Sequence, residues 1–412
     1  MAVTPPPPAS AVRERGYAAT PNSGFWWDLT EELTPELFWP LSIGVFDRMR
    51  KTDAQVASVL RAVTTPIVRT QWRVDGTGCS EQVTRFVADN LGLPIMDDTE
   101  PDGSKARLRG KSRFSWDEHL RLALLMLPFG HSYFEQVYYP PDGDGLYRLR
   151  KLGPRLAPTI SQVNVARDGG LVSIEQYGFI GSSRSSVTLP VNRLVAYILE
   201  REGGNWLGIS ILRSAYKNWL LKDRALRTWS LSVDRNGVGV PIYEAADGED
   251  SLAAGLDLAA TVRSGDNAGG AVPNGAHLKL QGVEGTLPNI DQYVRYQDEQ
   301  IARSALGHVL NLGSQGGGQV GSYNLGSVLK DAFHLGLDSI AGLVANTASA
   351  HIVEDLVDLN FGPTEPAPQV VYDDIGTRAT ELDRIREVAG LTSDADLVKF
   401  LRTIPNQEAP DA

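Results

Sequence analysis

The segment whose composition most suggests chemistry is a Gly-rich run, Gly313-Ser-Gln-Gly-Gly-Gly-Gln-Val-Gly-Ser322. Loops rich in glycine can hold phosphates on backbone amides, but a nucleotide-binding P-loop also needs Lys followed by Ser or Thr. This run contains no Lys, and the residues before it have a helical pattern, whereas dinucleotide-binding loops follow a strand. The run therefore predicts a mobile polar connection between two helices rather than a nucleotide site.

The residues that most often bind metals or act as nucleophiles show no spacing typical of either role. The six histidines form neither HxH nor HExxH, the spacings that present two ligands to zinc. Cys79 is the single cysteine, which excludes an internal disulfide and a thiolate cluster and favours a reducing compartment. Gly208-Ile-Ser-Ile-Leu lacks the second glycine of a nucleophile elbow. We therefore predict a protein that is not an enzyme and that uses no metal or cofactor. An enzyme whose catalytic residues lie far apart stays open.

Charged residues of opposite sign concentrate on two predicted helices. Four basic residues of the first helix follow spacings of four, seven and three, which places them near one face. Two acidic residues of the second helix are seven apart, and a third adjoins them. The candidates are Arg213, Lys217, Arg224 and Arg227 on the first helix and Asp291, Asp298 and Glu299 on the second. These faces predict pairing of the two helices, within one chain or between neighbouring chains. A solvated basic face is the alternative.

The elements that position these residues begin with an α+β region that ends near residue 204. A helix from about Thr52, capped by Thr52 or Asp53, should end at Thr64-Thr65-Pro66, because proline lacks an amide hydrogen. Two more helices are expected, the second with a capping-box pattern at Ser115. Period-two alternation then predicts short antiparallel strands. The expected helices lie at 80–91 and 115–126, and the strands at 67–74, 133–139, 147–152, 162–166, 172–177 and 194–198.

Long helices dominate the chain after residue 204. Helices are predicted at 206–235, 289–312 and 325–356, and a Gly-rich insertion at 238–287 separates the first two. A strand, Gln369–Tyr372, and a small helical tail at 377–403 follow. Most apolar residues of the first long helix are spread around its circumference, so this helix needs more than one packing partner.

Composition sets the outer bounds. The chain has 412 residues, of which 42% are hydrophobic, and a formal net charge of −11. These proportions exclude wholesale disorder, and the acidic balance argues against a surface that grips nucleic acid, because such surfaces need excess Lys and Arg. No apolar stretch approaches the roughly 20 residues of a membrane span. The beginning, Met1-Ala-Val-Thr-Pro-Pro-Pro-Pro8, has no secretory pattern and favours an extended arm.

Five segments, in this order, resemble the portal proteins of tailed bacteriophages, especially those of actinobacterial siphophages and the Mu-type group. The resemblance extends over about residues 25–375. The segments are Asp47-Arg-Met-Arg-Lys-Thr-Asp-Ala-Gln-Val-Ala-Ser58, Trp72-Arg-Val74, Gly208-Ile-Ser-Ile-Leu-Arg-Ser-Ala-Tyr216, Arg235-Asn-Gly-Val-Gly-Val-Pro241 and Ile301-Ala-Arg-Ser-Ala-Leu-Gly-His-Val-Leu-Asn-Leu-Gly313.

The resemblance implies an α+β portal fold with named parts, assembled as a dodecameric ring. A disordered N-terminal arm precedes a wing, two stem helices enclose a small α/β clip, and a tunnel loop leads into a kinked helix and a short helical crown. The implied boundaries are 1–24 arm, 25–204 wing, 205–235 and 289–312 stem, 236–288 clip, 313–324 tunnel loop, 325–375 kinked helix and return to the wing, 376–404 crown, and 405–412 disordered tail.

The resemblance also implies a function at the unique vertex of the capsid. Double-stranded DNA would pass through the ring non-specifically during packaging and ejection, and the wing would meet the major capsid protein and scaffold. The terminase large subunit would dock during packaging and the head–tail adaptor afterwards. The implied location is the virion, after assembly in the host cytoplasm, with no membrane partner. The tunnel-loop candidates are Ser314, Gln315, Gly316, Gly317, Gly318, Gln319, Ser322 and Tyr323. Another ring-forming connector, and a soluble α+β enzyme with a Gly-rich lid, remain as alternatives.

Overall fold

A computed structural model gives the fold of this chain and describes residues 32–96, 114–141, 143–180, 183–238, 240–248, 252–261, 271–281, 289–304 and 323–375. The helices are α1 (Leu41–Thr52), α2 (Ala54–Arg69), α3 (Glu81–Leu91), α4 (Trp116–Ala123), α5 (Met126–Phe129), α6 (Tyr216–Val238), α7 (Ala253–Thr261), α8 (Ile290–Ser304), α9 (Tyr323–Ala348) and α10 (Glu354–Phe361). The strands are β1 (Trp72–Asp75), β2 (His131–Tyr138), β3 (Leu149–Arg155), β4 (Ile160–Val165), β5 (Leu171–Ile180), β6 (Ser183–Pro190), β7 (Leu194–Ile198), β8 (Val240–Glu244), β9 (His277–Gln281) and β10 (Gln369–Tyr372). The predicted α+β class is confirmed.

Helix α2 shows tertiary packing overriding a local stop signal. The prediction that it ends at Thr64-Thr65-Pro66 is wrong, because Thr70 N donates to Pro66 O at 3.0 Å and the helix reaches Arg69. Val56, Val59, Val63 and Ile67 recur at helical spacing and are all buried. Burial of this stripe outweighs the one hydrogen bond that proline removes. The strand expected at 67–74 consequently shortens to Trp72–Asp75.

Four small antiparallel sheets make up the strand content of the described residues. β1 pairs with β10, β2 lies between β3 and β7, β5 lies between β4 and β6, and β8 pairs with β9. The β1–β10 pair joins the early part of the chain to its return, with Trp72 opposite Tyr372. Sequence reasoning missed β6, where a serine-rich run pairs with β5 along its whole length. Serine has a weak strand preference, and here the cross-strand pairing determines the conformation.

We call the α+β part of the chain the body; it comprises α1 to α5, β1 to β7, α9, α10 and β10. The core lies between its sheets and its helices. One cluster of buried side chains joins α2, α3 and α4 to α9 and α10, and a second joins α1 and α5 to the beginning of α6. A third lies between the β3–β2–β7 and β4–β5–β6 sheets, around Tyr133 and Ile174. The elements α6, α7, α8, β8 and β9 have few buried residues, and those of α6 and α8 lie where these helices meet the body.

The long helix expected at 325–356 is interrupted rather than continuous. α9 ends at Ala348, a π-helical segment covers Ser349–Val353, and α10 continues to Phe361. Gln136 of β2 supports this segment, since its Nε2 donates to His351 O at 2.7 Å and to Asp355 Oδ2 at 2.6 Å. Such segments bend a helix and leave carbonyl groups that need outside donors. The strand Gln369–Tyr372 follows with the bounds that were predicted.

Candidate functional site

A close backbone crossing leads the chain from the body into α6. The helix predicted from residue 206 begins only at Tyr216, because residues 206–215 form turns that cap α5. Ile211 N donates to Leu127 O at 3.1 Å, and Ser210 Oγ donates to Pro128 O at 2.7 Å. Gly208 has a φ of +63°, and a Cβ there would lie 2.6 Å from Leu199 O and closer still to Gly130 O. Only glycine fits this crossing.

The beginning of α6 is fastened to the body at every third residue. Arg213 pairs with Glu32, and the Tyr216 hydroxyl donates to Glu36. The Arg48 guanidinium lies 5.5 Å from the centre of the Trp219 ring, and Lys222 pairs with Asp53. Arg213 precedes α6, whereas Tyr216, Trp219 and Lys222 lie within about a third of the circumference of the helix. Sequence reasoning missed Glu32, Glu36 and Asp53 as partners, although the spacing of 216, 219 and 222 was a readable signal.

The last of these contacts is a buried triad of charges. Lys222 Nζ lies 2.9 Å from Asp53 Oδ2 and 2.6 Å from Asp298 Oδ1 of α8. Asp53 also caps α2, because its Oδ1 accepts from Gln55 N at 2.9 Å and Val56 N at 3.0 Å. Burial alone lowers the pKa of Lys222, but the hydrogen bonds and charges of Asp298 and Asp53 outweigh it and raise that pKa above its usual value. Lys222 is therefore an ammonium ion at neutral pH.

Beyond Lys222 the surface of α6 changes from buried to exposed. Residues 223–233 are exposed or half-buried, although several are large and apolar. The exposed apolar side chains of this half are Leu226, Trp229, Leu231 and Val233 on α6, with Tyr293 and Tyr296 on α8. Leu226, Trp229 and Val233 share one side of α6, and Leu231 lies on the opposite side. We call the first three, together with Tyr293 and Tyr296, the apolar stem face. Exposed apolar area of this extent marks an interaction surface in a soluble protein.

The structure distributes the sequence-predicted charges among several roles. Asp298 reaches α6 of its own chain through Lys222, which brings the two predicted helices together at one point. Arg227 pairs with Asp223 at 2.8 Å and Asp291 with Arg295 at 2.8 Å, each within one helix. Glu299 is half-buried on α8. Lys217 and Arg224 are exposed, and neither forms an ion pair with another described residue. Pairing of these charges between neighbouring chains stays a prediction.

The tunnel-loop residues lie almost wholly outside the described part of the chain. Seven of the eight, Ser314, Gln315, Gly316, Gly317, Gly318, Gln319 and Ser322, are in the undescribed segment 305–322, and Tyr323 begins α9. The helix predicted to reach residue 312 is described to Ser304, where α8 ends. Asn289 caps it as expected, since its Oδ1 accepts from Gln292 N at 3.1 Å. The predicted tail at 377–403 also lies outside the described residues.

The insertion between α6 and α8 packs a short helix on a two-stranded sheet. The Tyr243 ring of β8 lies against Gly255 of α7, where any larger side chain would overlap it. The outer surface is apolar and exposed, with Ile242 and Leu280 on the strands and Leu252 and Leu256 at the helix. An apolar helix with this much exposure needs a partner to cover it.

The described residues contain no arrangement suited to catalysis or to metal binding. No group of three or more His, Cys, Asp or Glu side chains among them could hold a metal ion. His119 is fully buried, 2.8 Å from the Tyr197 hydroxyl, and burial lowers its pKa to about 3. A neutral histidine among aromatic rings is a packing residue. Within the same ranges, no helix combines the length and hydropathy that a bilayer crossing requires.

Comparison with known proteins gives one family and one fold. The family described as the portal protein of Mu bacteriophage matches residues 43–399. A chain of the virion of a native gene transfer agent particle matches with a TM-score of 0.54 at 17% identity, covering 89% of this chain and 95% of its own. A chain of the neck of an empty particle, computed with C6 symmetry, matches with a TM-score of 0.53 at 16% identity, covering 87% of this chain and 93% of its own. A chain of the neck of a native particle, computed with C12 symmetry, matches with a TM-score of 0.52 at 17% identity, covering 86% of this chain and 92% of its own. No curated protein sequence matches significantly.

Proposed function

The chain belongs to the Mu-type portal family, whose members are structural, non-enzymatic head–tail connectors of bacteriophages, and we propose that it forms a ring through which double-stranded DNA enters and leaves the capsid. The same family membership makes it a component of the virion. The body is the proposed wing and α6 and α8 the proposed stem. β8, α7 and β9 form the proposed clip, and residues 313–324 the tunnel loop.

The observation that carries the ring is the apolar stem face. Val233 is 58% exposed and Tyr296 is 54% exposed, although α6 is well packed at its beginning. Identical subunits placed side by side around a closed axis cover the same face on every copy. The solved neck computed with C12 symmetry supports a count of twelve. The exposed Lys217 and Arg224 are available to meet Asp291 and Glu299 of a neighbour, or DNA.

The proposed channel lining is the tunnel loop, from Ser314 to Tyr323. DNA must slide past it, so its wall should not hold phosphates tightly. Glycine, serine and glutamine offer weak contacts that do not depend on base sequence, and a net charge of −11 limits electrostatic attraction to phosphates. The few exposed basic residues of α6 attract DNA phosphates locally without making the whole surface bind DNA tightly.

The exposed insertion between the stem helices is the proposed docking surface for the packaging terminase and then for the head–tail adaptor. Its apolar residues Ile242, Leu252, Leu256 and Leu280 lie beyond the end of α6. The motor is a separate protein in this proposal, because the chain contains no P-loop. The outer β4–β5–β6 sheet, with exposed Val172 and Val187, is the proposed contact with the major capsid protein and scaffold.

Sedimentation equilibrium of the purified full chain tests the ring. We expect a species of about twelve times the 44.7 kDa of one chain, formed without nucleotide or metal. A single 44.7 kDa species at micromolar concentration, unchanged when the protein is concentrated, would contradict the proposal.

A further inference from the structure

Both long helices emerge from the body at the same level. On α6, the buried or half-buried positions that contact the body end at Lys222, and most positions from 223 to 233 are exposed. On α8, residues 291–296 are mostly exposed, whereas Gln297, Ile301 and Ala302 are buried. Lys222 and Asp298 therefore mark the point beyond which the two helices no longer contact the body.

The buried triad lies at this point and joins three elements. Asp53 belongs to the body and is fixed there, since the same carboxylate caps α2. Lys222 belongs to α6, and Asp298 belongs to α8. The side chains of Lys222 and Asp53 are 10% and 8% exposed, whereas that of Asp298 is 31% exposed. The Asp53–Lys222 pair is thus enclosed. The Asp298 side chain is partly exposed, but its Oδ1, which meets Lys222, is itself buried.

We propose that Asp53, Lys222 and Asp298 form a pivot that fixes the angle of the α6–α8 pair relative to the body. Charges brought out of water gain little net stability over apolar packing, but they require close, directed contacts and so specify one geometry. A Met at position 222 could fill the same volume while allowing α6 to tilt. This role lies within one subunit, so it holds in a monomer as in a ring and does not rest on the proposed channel.

The Lys222–Asp53 and Lys222–Asp298 ion pairs have different roles in this pivot. Asp53 cannot move without uncapping α2, so Lys222 keeps its position on the body. Asp298 caps no helix and its side chain is 31% exposed, so α8 is the less firmly held of the two helices in this pivot. Gln297, buried beside it, leaves its Oε1 without a hydrogen-bond partner among the described residues, which shows that polar packing at this level of α8 is incomplete.

Distance distributions between spin labels test the pivot in the full chain. One label is placed at Arg61, exposed on α2, and the other at Ser230, exposed on α6, in a Cys79→Ser background and diluted with unlabelled protein. Lys222→Met is compared with Arg224→Met, which removes an exposed cation two residues away on the same helix. We expect Arg224→Met to match the parent and Lys222→Met to widen the distribution at least twofold. Equal widths for Lys222→Met and the parent would overturn the proposal.

Asp298→Asn keeps the test decisive if Lys222→Met does not fold. This variant retains the Asp53–Lys222 pair, so the distance from Arg61 to Ser230 should keep its width. With the second label at Gln292, exposed on α8, the distribution should widen. Widening of both distributions, or of neither, would contradict the separate roles of the two ion pairs.

Discussion

Gly208 shows how one residue type is imposed by backbone geometry. Its positive φ and the nearby carbonyls of Leu199 and Gly130 leave no room for a side chain. We expect Gly208→Ala to reduce the free energy of unfolding by about 3 kcal/mol, because strain and overpacking add. Urea titration of purified protein measures the change.

Gly44→Ala is the matched control for Gly208→Ala. Gly44 is exposed within α1, and a Cβ there would meet no atom within 4 Å. Alanine at this position should stabilise the protein by up to about 1 kcal/mol through helix propensity. A Gly208→Ala variant as stable as Gly44→Ala would show that the crossing is not tight.

Glu32 gives the pair with Arg213 a defined pH dependence. Partial burial raises the pKa of Glu32. The hydrogen bonds and charge of Arg213 and the hydrogen bond from the Thr34 amide lower it by more, so this pKa lies below its usual 4.5. A lowered pKa in the folded state stabilises the protein above pH 4.5, and the contribution is lost as the pH falls through the lowered value. Glu32→Gln should therefore destabilise the protein at pH 7 by about 1 kcal/mol and have a smaller effect at pH 3.

Thermal melts of the Glu32→Gln variant across that pH range measure the difference. Glu118→Gln is the control, since Glu118 is exposed on α4 and has no ion pair within the described ranges. We expect no pH-dependent difference for this control. A constant penalty for Glu32→Gln from pH 7 to pH 3 would show that the carboxylate charge is not what Arg213 recognises.

At the scale of elements, prediction from sequence succeeded where a local signal and tertiary packing agreed. The bounds of β7 and β10 were predicted as observed, and α3 was predicted within one residue, because Ser80, placed inside the helix by the prediction, is its cap. It was wrong where packing opposed the local signal, as at Pro66 in α2 and at the turns before Tyr216. Ser115 stands at the N-cap position of α4, but the predicted side-chain capping hydrogen bond does not form there.

The candidate site was only partly readable for the same reason. The acidic and basic positions on α6 and α8 were visible as patterns of spacing, but ion-pair partners depend on the three-dimensional path of the chain. Asp53 precedes Lys222 by 169 residues, and no local periodicity connects them. The Gly-rich run at 313–322 was recognised by composition alone, and its role as channel lining stays a proposal.

The exposed half of α6 carries the prediction that belongs to the element scale. Trp229→Lys places a charge within the apolar stem face and should leave the monomer fold intact while lowering the oligomer fraction at least tenfold. Thr228→Lys, at an exposed position on a different side of α6, controls for added charge and should assemble normally. Sedimentation velocity and circular dichroism report assembly and fold separately. Normal assembly of Trp229→Lys would exclude this face from the ring contact.

At the scale of the molecule, the body is built from two separate stretches of the chain. β10 returns to pair with β1 some 300 residues earlier, and α9 packs beside both β10 and β7. The body is thus completed only after α6, the insertion and α8 have been made.

The acidic charge of the whole chain now has a specific interpretation. A net charge of −11 first excluded a surface that grips nucleic acid. In the proposed ring it limits adhesion of DNA. Arg213, Lys222 and Arg227 pair with Glu32, Asp53 and Asp223, and Lys217 and Arg224 remain exposed. With one cysteine per chain, disulfides could link subunits only in pairs, so packing and ion pairs must close the proposed ring.

Electron microscopy of the purified full chain tests the central claim most directly. The account predicts ring-shaped particles with a cyclic axis, with α6 and α8 of each subunit around a central hole wide enough for a DNA duplex, roughly 20 Å. Particles that lack a central hole, or a ring whose stem helices point away from the axis, would contradict it.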